Sequence, residues 1–247
     1  MDGGTGFDQL VAGTNRDIMY GGADTDYFWF AGITSVGDQV DGGSGYDYIL
    51  ANGSNTSITL FSIVNVEHIH ANTYTGVYIS GTSAAENLDF SATTLTNIQN
   101  IQMLGGDDTV TGSAAADVIY GGDGNDIIAG AGGADILIGG NGSNTFDFNS
   151  IAHSSAASAD TIWDFWQAAS DKIDLLTIDA NTGLAGDQAF SFIGLAAFSS
   201  VSGQLRYDNT TNPGWTSVFA DNNGDSVADF RVDLNGTYTL LSGDFVL

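Results

Sequence analysis

GSAAADVIY, GGDGNDIIA, GAGGADILI and GGNGSNTFD run without interruption from Gly112 to Asp147. Each block of nine has a polar residue at its sixth place (Asp117, Asp126, Asp135 and Asn144), and Asp108 stands nine residues before the first. Two positions after each polar residue comes an apolar one: Val110, Ile119, Ile128, Leu137 and Phe146. A short fixed period means a structural unit that stacks on its own copies. Here the unit divides into a turn and a strand. The glycines reach positive φ and let backbones approach closely, and the tail is long enough only for a short strand. Such a strand cannot bury its apolar residue alone. Two units make a coil of about eighteen residues with turns on opposite edges, and coils stack as parallel sheets about 4.8 Å apart. The expected fold class is all-β, a parallel β-roll or β-solenoid.

The same period recurs near the N-terminus, where Asp8, Asp17 and Asp26 are nine apart and Asp38 and Asp47 form another such pair. GGTGFDQLV from Gly3 and GGSGYDYIL from Gly42 are the best units there; AGTNRDIMY and GGADTDYFW are degraded. Between the arrays SITLFSIVNVEHIHA keeps a strand-like pattern with Ile58, Leu60, Ile63, Val66 and Ile69, and GTSAAENLD from Gly81 places Glu86 where the aspartate would be. This segment reads as coils whose turns bind metal poorly or not at all. After Phe148 the period ends. ADTIWDFWQAASDKIDLL mixes aromatic residues with Asp160, Asp164, Asp171 and Asp174, and the stretch from Phe190 to Leu247 reads as several antiparallel strands forming a β-rich cap over the open end of the roll.

Acids outnumber bases 30 to 4, a formal charge of -26. No basic patch exists to neutralise phosphates, so nucleic acid and anionic membranes are excluded as partners. Compaction is also opposed unless cations are bound. Residues eighteen apart lie above one another in the roll, which pairs Asp8 with Asp26, Asp108 with Asp126, Asp117 with Asp135, and Asp126 with Asn144. A hard cation held by both members, with carbonyls from the glycine turn, relieves their repulsion using oxygen ligands only. Calcium suits such a site; magnesium demands a compact octahedron and gives up water reluctantly. Cysteine is absent, which fits a reducing compartment or a calcium-rich exterior in which the metal replaces disulfides. No signal peptide is visible at Met1-Asp2-Gly3-Gly4, and no apolar run approaches the ~20 residues of a membrane span.

The units GGTGFDQLV, GGSGYDYIL and GGDGNDIIA resemble GGxGxDxUx, the calcium-binding nonapeptide of the RTX, or haemolysin-type, family. ADTIWDF, DKIDL, GQLRYDN, NNGDSVADFRVDL and LLSGDFVL resemble the C-terminal domain of serralysin-type secreted metalloproteases. The resemblance implies a β-roll with calcium between coils, and a C-terminal signal read by a type I secretion exporter. It carries the role of metal ligand onto Asp8, Asp26, Asp47, Asp108, Asp117, Asp126 and Asp135. The turn glycines Gly3, Gly4, Gly6, Gly42, Gly43, Gly45, Gly121, Gly122 and Gly124 belong to the same sites, with Asn144 as a weaker member. Departures from the motif at Ala12, Asn15, Asp24, Ser113-Ala114-Ala115 and Asn144 point to weaker sites. No protease motif is present, and His68, His70 and His153 are the only histidines.

The expected organisation is a first RTX array over 1–50, divergent solenoid coils over 51–104, a second array over 105–150, and a cap with the secretion signal region over 151–247. The expected function is a secreted, non-enzymatic calcium module that folds outside the cell and supports export of a larger protein, of which this chain is a C-terminal piece. The alternative is a cell-surface or polysaccharide-binding module, or one associated with a polysaccharide lyase or epimerase, with Trp163, Trp166, Trp215 and Tyr207 as a sugar platform. Uronate chemistry wants a base near the sugar carboxylate, and only Arg16, Lys172, Arg206 and Arg231 are available. Two smaller readings remain. His68 and His70 alternate on one strand and could form half of a zinc site, and Asp221-Asn222-Asn223-Gly224-Asp225 looks like the start of a calcium loop without its downstream glutamate.

Overall fold

In the computed structural model, which describes residues 1–32 and 36–247, β1 (Asp2–Thr5) and β2 (Gln9–Val11) form the first coil of a solenoid. β3 (Ile18–Ala23) with β4 (Tyr27–Phe30), β5 (Asp38–Ser44) with β6 (Tyr48–Ala51), and β7 (Ser57–Val64) with β8 (His68–His70) form the next three. The fifth coil holds three strands, β9 (Tyr78–Ser80), β10 (Asn87–Asp89) and β11 (Thr94–Thr96). Regular coils resume with β12 (Ile101–Gln102) and β13 (Thr109–Thr111), β14 (Val118–Asp123) and β15 (Ile127–Ala129), and β16 (Ile136–Asn141) and β17 (Thr145–Asp147). β18 (Asp160–Ile162) and β19 (Lys172–Asp174) form a last coil, followed by β20 (Ser191–Phe192), β21 (Gln204–Asp208), β22 (Trp215–Asp221), β23 (Phe230–Asn235) and β24 (Phe245–Val246).

One wall is a thirteen-stranded sheet in the order β1-β3-β5-β7-β9-β12-β14-β16-β18-β23-β22-β21-β20. The other wall is split into a five-stranded sheet, β11-β8-β6-β4-β2, and a six-stranded one, β10-β13-β15-β17-β19-β24. The split falls in the fifth coil, where β11 returns to pair with β8 while β10 starts the next sheet. Pairing within the roll is parallel, with Val118 opposite Ile136 and Thr109 opposite Ile127. The parallel β-roll read from the repeats is therefore the fold.

The core follows from the period. Val110, Ile119, Ile128, Leu137 and Phe146 are fully buried, as are Met19, Phe28 and Ile49 in the first array. Each adds about 1.5–3 kcal/mol of burial. Close stacking explains some of the glycine: Gly124 has φ 139°, and a Cβ there would collide with the Gly106 carbonyl of the coil below. One expectation needs correction. In the C-terminal region only β21–β22 and β22–β23 pair antiparallel. β24 lies parallel to β19, because it continues the stacking of the roll, and β20 lies parallel to β21.

Candidate metal-binding edges

The turn acids form ladders along both edges of the roll. The Asp8 amide donates to Asp26 Oδ1 at 2.9 Å, the Asp26 amide to Asp47 Oδ1 at 2.8 Å, and the Asp47 amide to Glu67 Oε2 at 2.7 Å. Beyond the fifth coil the same edge runs from Glu86 through Asp108, Asp126 and Asn144 to Asp171, at 2.8 to 3.1 Å. On the opposite edge the Asp17 amide donates to Asp38 Oδ1, that of Asp117 to Asp135 Oδ1, and that of Asp135 to Asp160 Oδ1, at 2.8 to 2.9 Å. Asp26, Asp38, Asp47, Asp108, Asp126, Asp135 and Asp160 thus each spend one oxygen on the backbone of the preceding coil.

The second oxygen decides what the edges can do. Oδ2 of Asp8, Asp26 and Asp47 is buried with no hydrogen-bond donor, and so is Oδ2 of Asp108, Asp126 and Asp135. Asp38 and Asp160, not read as ligands in the sequence, share this state. A buried carboxylate oxygen without a partner is costly and calls for a counter-charge. The surroundings offer room for one. A Cβ built on Gly3 would lie 2.8 Å from Asp8 Oδ2 and 2.6 Å from the Gly21 carbonyl; at Gly121 the neighbours are Asp126 Oδ2 and, at 2.7 Å, the Gly139 carbonyl. A carboxylate oxygen and a glycine carbonyl of the next coil therefore converge on a space that only glycine leaves open. Gly42 stands in the same way against Asp47 Oδ2, whereas Gly4, Gly6, Gly43, Gly45, Gly122 and Gly124 turn the chain at positive φ. Such an oxygen set fits calcium. Among the described residues no three acids or histidines form a metal cage by themselves, and the further oxygens beside the carboxylates are backbone carbonyls: Gly21 at Asp8, Gly42 at Asp26, Gly139 at Asp126 and Asn65 at Asp47.

Degraded turns satisfy their own acids. Asp117 Oδ2 accepts the Ser113 amide at 2.7 Å and its hydroxyl at 2.8 Å, and Asp17 Oδ2 accepts the Gly13 amide at 2.6 Å. Glu86 is held by the amide and hydroxyl of Thr82. Asn144 differs again: its Oδ1 accepts the Asp126 amide, leaving Nδ2 toward the space at Gly139. A side-chain amide has one oxygen and no charge, so at Asn144 no second oxygen is left over from the ladder.

Electrostatics match this picture. Burial, reinforced in the first three by a neighbouring acid, pushes the carboxyls of Asp38 up to about 6, Asp108 to about 7 and Asp135 to about 8; burial alone takes Asp160 to about 7. Arg16 lowers the Asp38 carboxyl in part, and among the described residues no side-chain cation pairs with any of the four. The one salt bridge among the described residues is Arg231–Asp233 at 2.7 Å in the cap. Arg16 lies over the Phe61 ring and donates to the Gly37 carbonyl, Lys172 donates to the Gly243 carbonyl, and Arg206 to that of Ala196.

The remaining readings fare unevenly. His68 Nε2 lies 2.8 Å from Thr96 Oγ1 and His70 Nδ1 lies 3.1 Å from Asn72 Oδ1, so both face outward with partners of their own. The carboxylate of Asp221 accepts the amides of Asn223, Gly224 and Ser226, which makes its loop a self-capped polar turn. Of the aromatic residues read as a platform in the cap, Tyr207 is buried and stacks on Phe192, while Trp163 and Trp166 are exposed and Trp163 meets Trp215 edge-on at 6.1 Å.

The family described as Peptidase M10 serralysin C terminal matches residues 3–247. No curated protein matches the sequence significantly. Among solved structures, the AlgE6R3 subunit of the Azotobacter vinelandii mannuronan C5-epimerase aligns over 73% of this chain and 77% of its own, at 20% identity and a TM-score of 0.38. The AlgE6R2 subunit of the same enzyme aligns over 69% and 92%, at 21% identity and a TM-score of 0.36. With its nonapeptide turns and the parallel roll they build, the chain belongs to the serralysin C-terminal family of RTX-type repeat domains.

Proposed function

We propose that this chain is a calcium-dependent folding module that supports type I export of a larger secreted protein and performs no catalysis itself. The observation that carries the reading is the row of buried Oδ2 atoms without a donor, with a glycine carbonyl of the next coil beside those of Asp8, Asp26 and Asp126 and the Asn65 carbonyl beside that of Asp47. Asp8, Asp26, Asp47, Asp108, Asp126 and Asp135 would hold the ions, joined by Asp38 and Asp160; calcium would supply the positive charge that lets stacked carboxylates ionise and would tie successive coils together. Binding only the folded arrangement, a site at a hundred times its Kd adds about 2.7 kcal/mol of stability. Extracellular calcium reaches the level suited to weak sites, which a resting cytosol does not. The chain would then stay loose inside and fold outside. No helix among the described residues is long and apolar enough to cross a membrane.

Far-UV circular dichroism tests the folding half. Metal-free protein should give a largely disordered spectrum that becomes β-rich in millimolar calcium and changes little in equal magnesium. A cooperative β fold over residues 105–147 without metal at about pH 8.5 would overturn the reading. Export is tested by deleting Ser242 to Leu247 in a host with a compatible exporter, alongside Phe192→Ala, which removes the packing partner of Phe245 and leaves the terminal sequence intact. Retention of the deletion with export of the substitution supports a terminal signal; export of both refutes it.

A further inference from the structure

The outer face of the five-stranded sheet is unlike the rest of this acidic molecule. None of its strands, QLV, YFWF, YILA, HIH and TLT, contains a charged residue, in a chain with 30 acids. Its outward side chains instead build an aromatic row along the roll axis. Tyr27 stacks on Tyr48 at 4.9 Å and 7°, and Tyr48 on His68 at 5.7 Å and 14°, with Phe7 closing one end at 5.0 Å from Tyr27. Beside the row lies a groove of about 480 Å³ lined by Tyr46, Tyr48, Leu50, His68, His70 and Asn72. The Tyr27, Tyr46 and Tyr48 hydroxyls make no hydrogen bond among the described residues. Partial burial, with the neighbouring His70, lowers the pKa of His68.

We propose that this face binds an uncharged, extended polysaccharide. Sugars of that kind present C–H surfaces and hydroxyls together, the combination that tyrosine rings, imidazoles and a side-chain amide complement. The row repeats once per coil, so it suits a polymer that repeats along its own axis. Other occupants are disfavoured by charge. A second copy brings another -26 into contact, an acidic glycan or nucleic acid finds no cation on the face, and a basic peptide finds no carboxylate there. The inference needs only that the roll be folded, and does not depend on where calcium binds.

The test is titration of the full chain in saturating calcium with cellohexaose and mannohexaose, and with a polygalacturonate oligomer as the acidic counterpart, followed by calorimetry and NMR. The expected result is saturable binding of a neutral hexasaccharide, weakened at least about tenfold in Tyr27→Ala and Tyr48→Ala, with unchanged circular dichroism and no effect of Trp163→Ala. Failure of both neutral oligomers to bind overturns the proposal, as does binding indifferent to the tyrosine substitutions or stronger for the acidic oligomer. A concentration-dependent dimer abolished by Tyr48→Ala would assign the face to a second copy instead.

Discussion

At Asn144 a single atom separates a structural residue from a ligand. Its oxygen is taken by the Asp126 amide and its nitrogen faces the space at Gly139. Asn144→Asp keeps the ladder bond and turns an oxygen into that space. It should add one bound calcium and lower the calcium concentration at which the chain folds, and calorimetric stoichiometry checks this; an unchanged count would show that carbonyls rather than side-chain charge select the ion. Gly121→Ala probes the opposite change. The new methyl would press on Asp126 Oδ2 and lie 2.7 Å from the Gly139 carbonyl, whereas at Gly105 the nearest atoms are 3.5 Å away. Overpacking of this kind costs about 1–3 kcal/mol, so Gly121→Ala should raise the calcium midpoint for folding and Gly105→Ala should leave it nearly alone. The aspartates of the regular units were legible in the sequence because chemistry and period coincide there. Asp160 stands outside the period of nine, and Asp38, although nine before Asp47, lacks the glycine turn that marks the regular units. The signal that survives is the triplet of an acid, any residue and an inward apolar one: Asp38 precedes Val40 and Asp160 precedes Ile162, both buried. The same argument shows why Asp117, in perfect phase, is a poorer candidate, since only the structure reveals Ser113 holding its free oxygen.

Turns and strands respond to pH as rows. Burial holds Asp38, Asp108, Asp135 and Asp160 at about 6 to 8 in the metal-free fold, against about 3.9 for an unfolded aspartate. Groups raised on folding favour the folded state fully below the unfolded value, and that advantage is lost as pH rises through 6 to 8. Metal-free protein should therefore gain β structure as pH falls from about 8.5 to 5, while calcium affinity declines over the same interval as protons compete. A circular dichroism signal flat across that range in metal-free buffer would contradict it. Strand existence was legible from Gly3 to Asp147, yet the break of one wall into two sheets was not. Nothing local distinguishes Thr94–Thr96, which returns to β8, from the strands that advance to the next coil. The ladder tolerates such irregularity, linking turn residues 18 apart in the regular repeats and 25 (Asp135–Asp160) or 27 (Asn144–Asp171) apart near the cap.

Over the whole molecule, local pattern predicts the roll and fails at its closure. β18 pairs with β23, Asp160 opposite Val232, and β19 pairs with β24, Ile173 opposite Phe245; partners so distant in sequence leave no periodic trace. Both walls are thereby finished by the final segment of the chain. This has a consequence in time. A ribosome adds about 5–20 residues per second, so these 247 residues take on the order of tens of seconds to be added. Until Phe230 and Phe245 have emerged, any coils that form end in the raw edges of β18 and β19, with unpaired amides and carbonyls that would accept a strand from another nascent chain. A polypeptide held loose by its own charge through that interval escapes premature stacking.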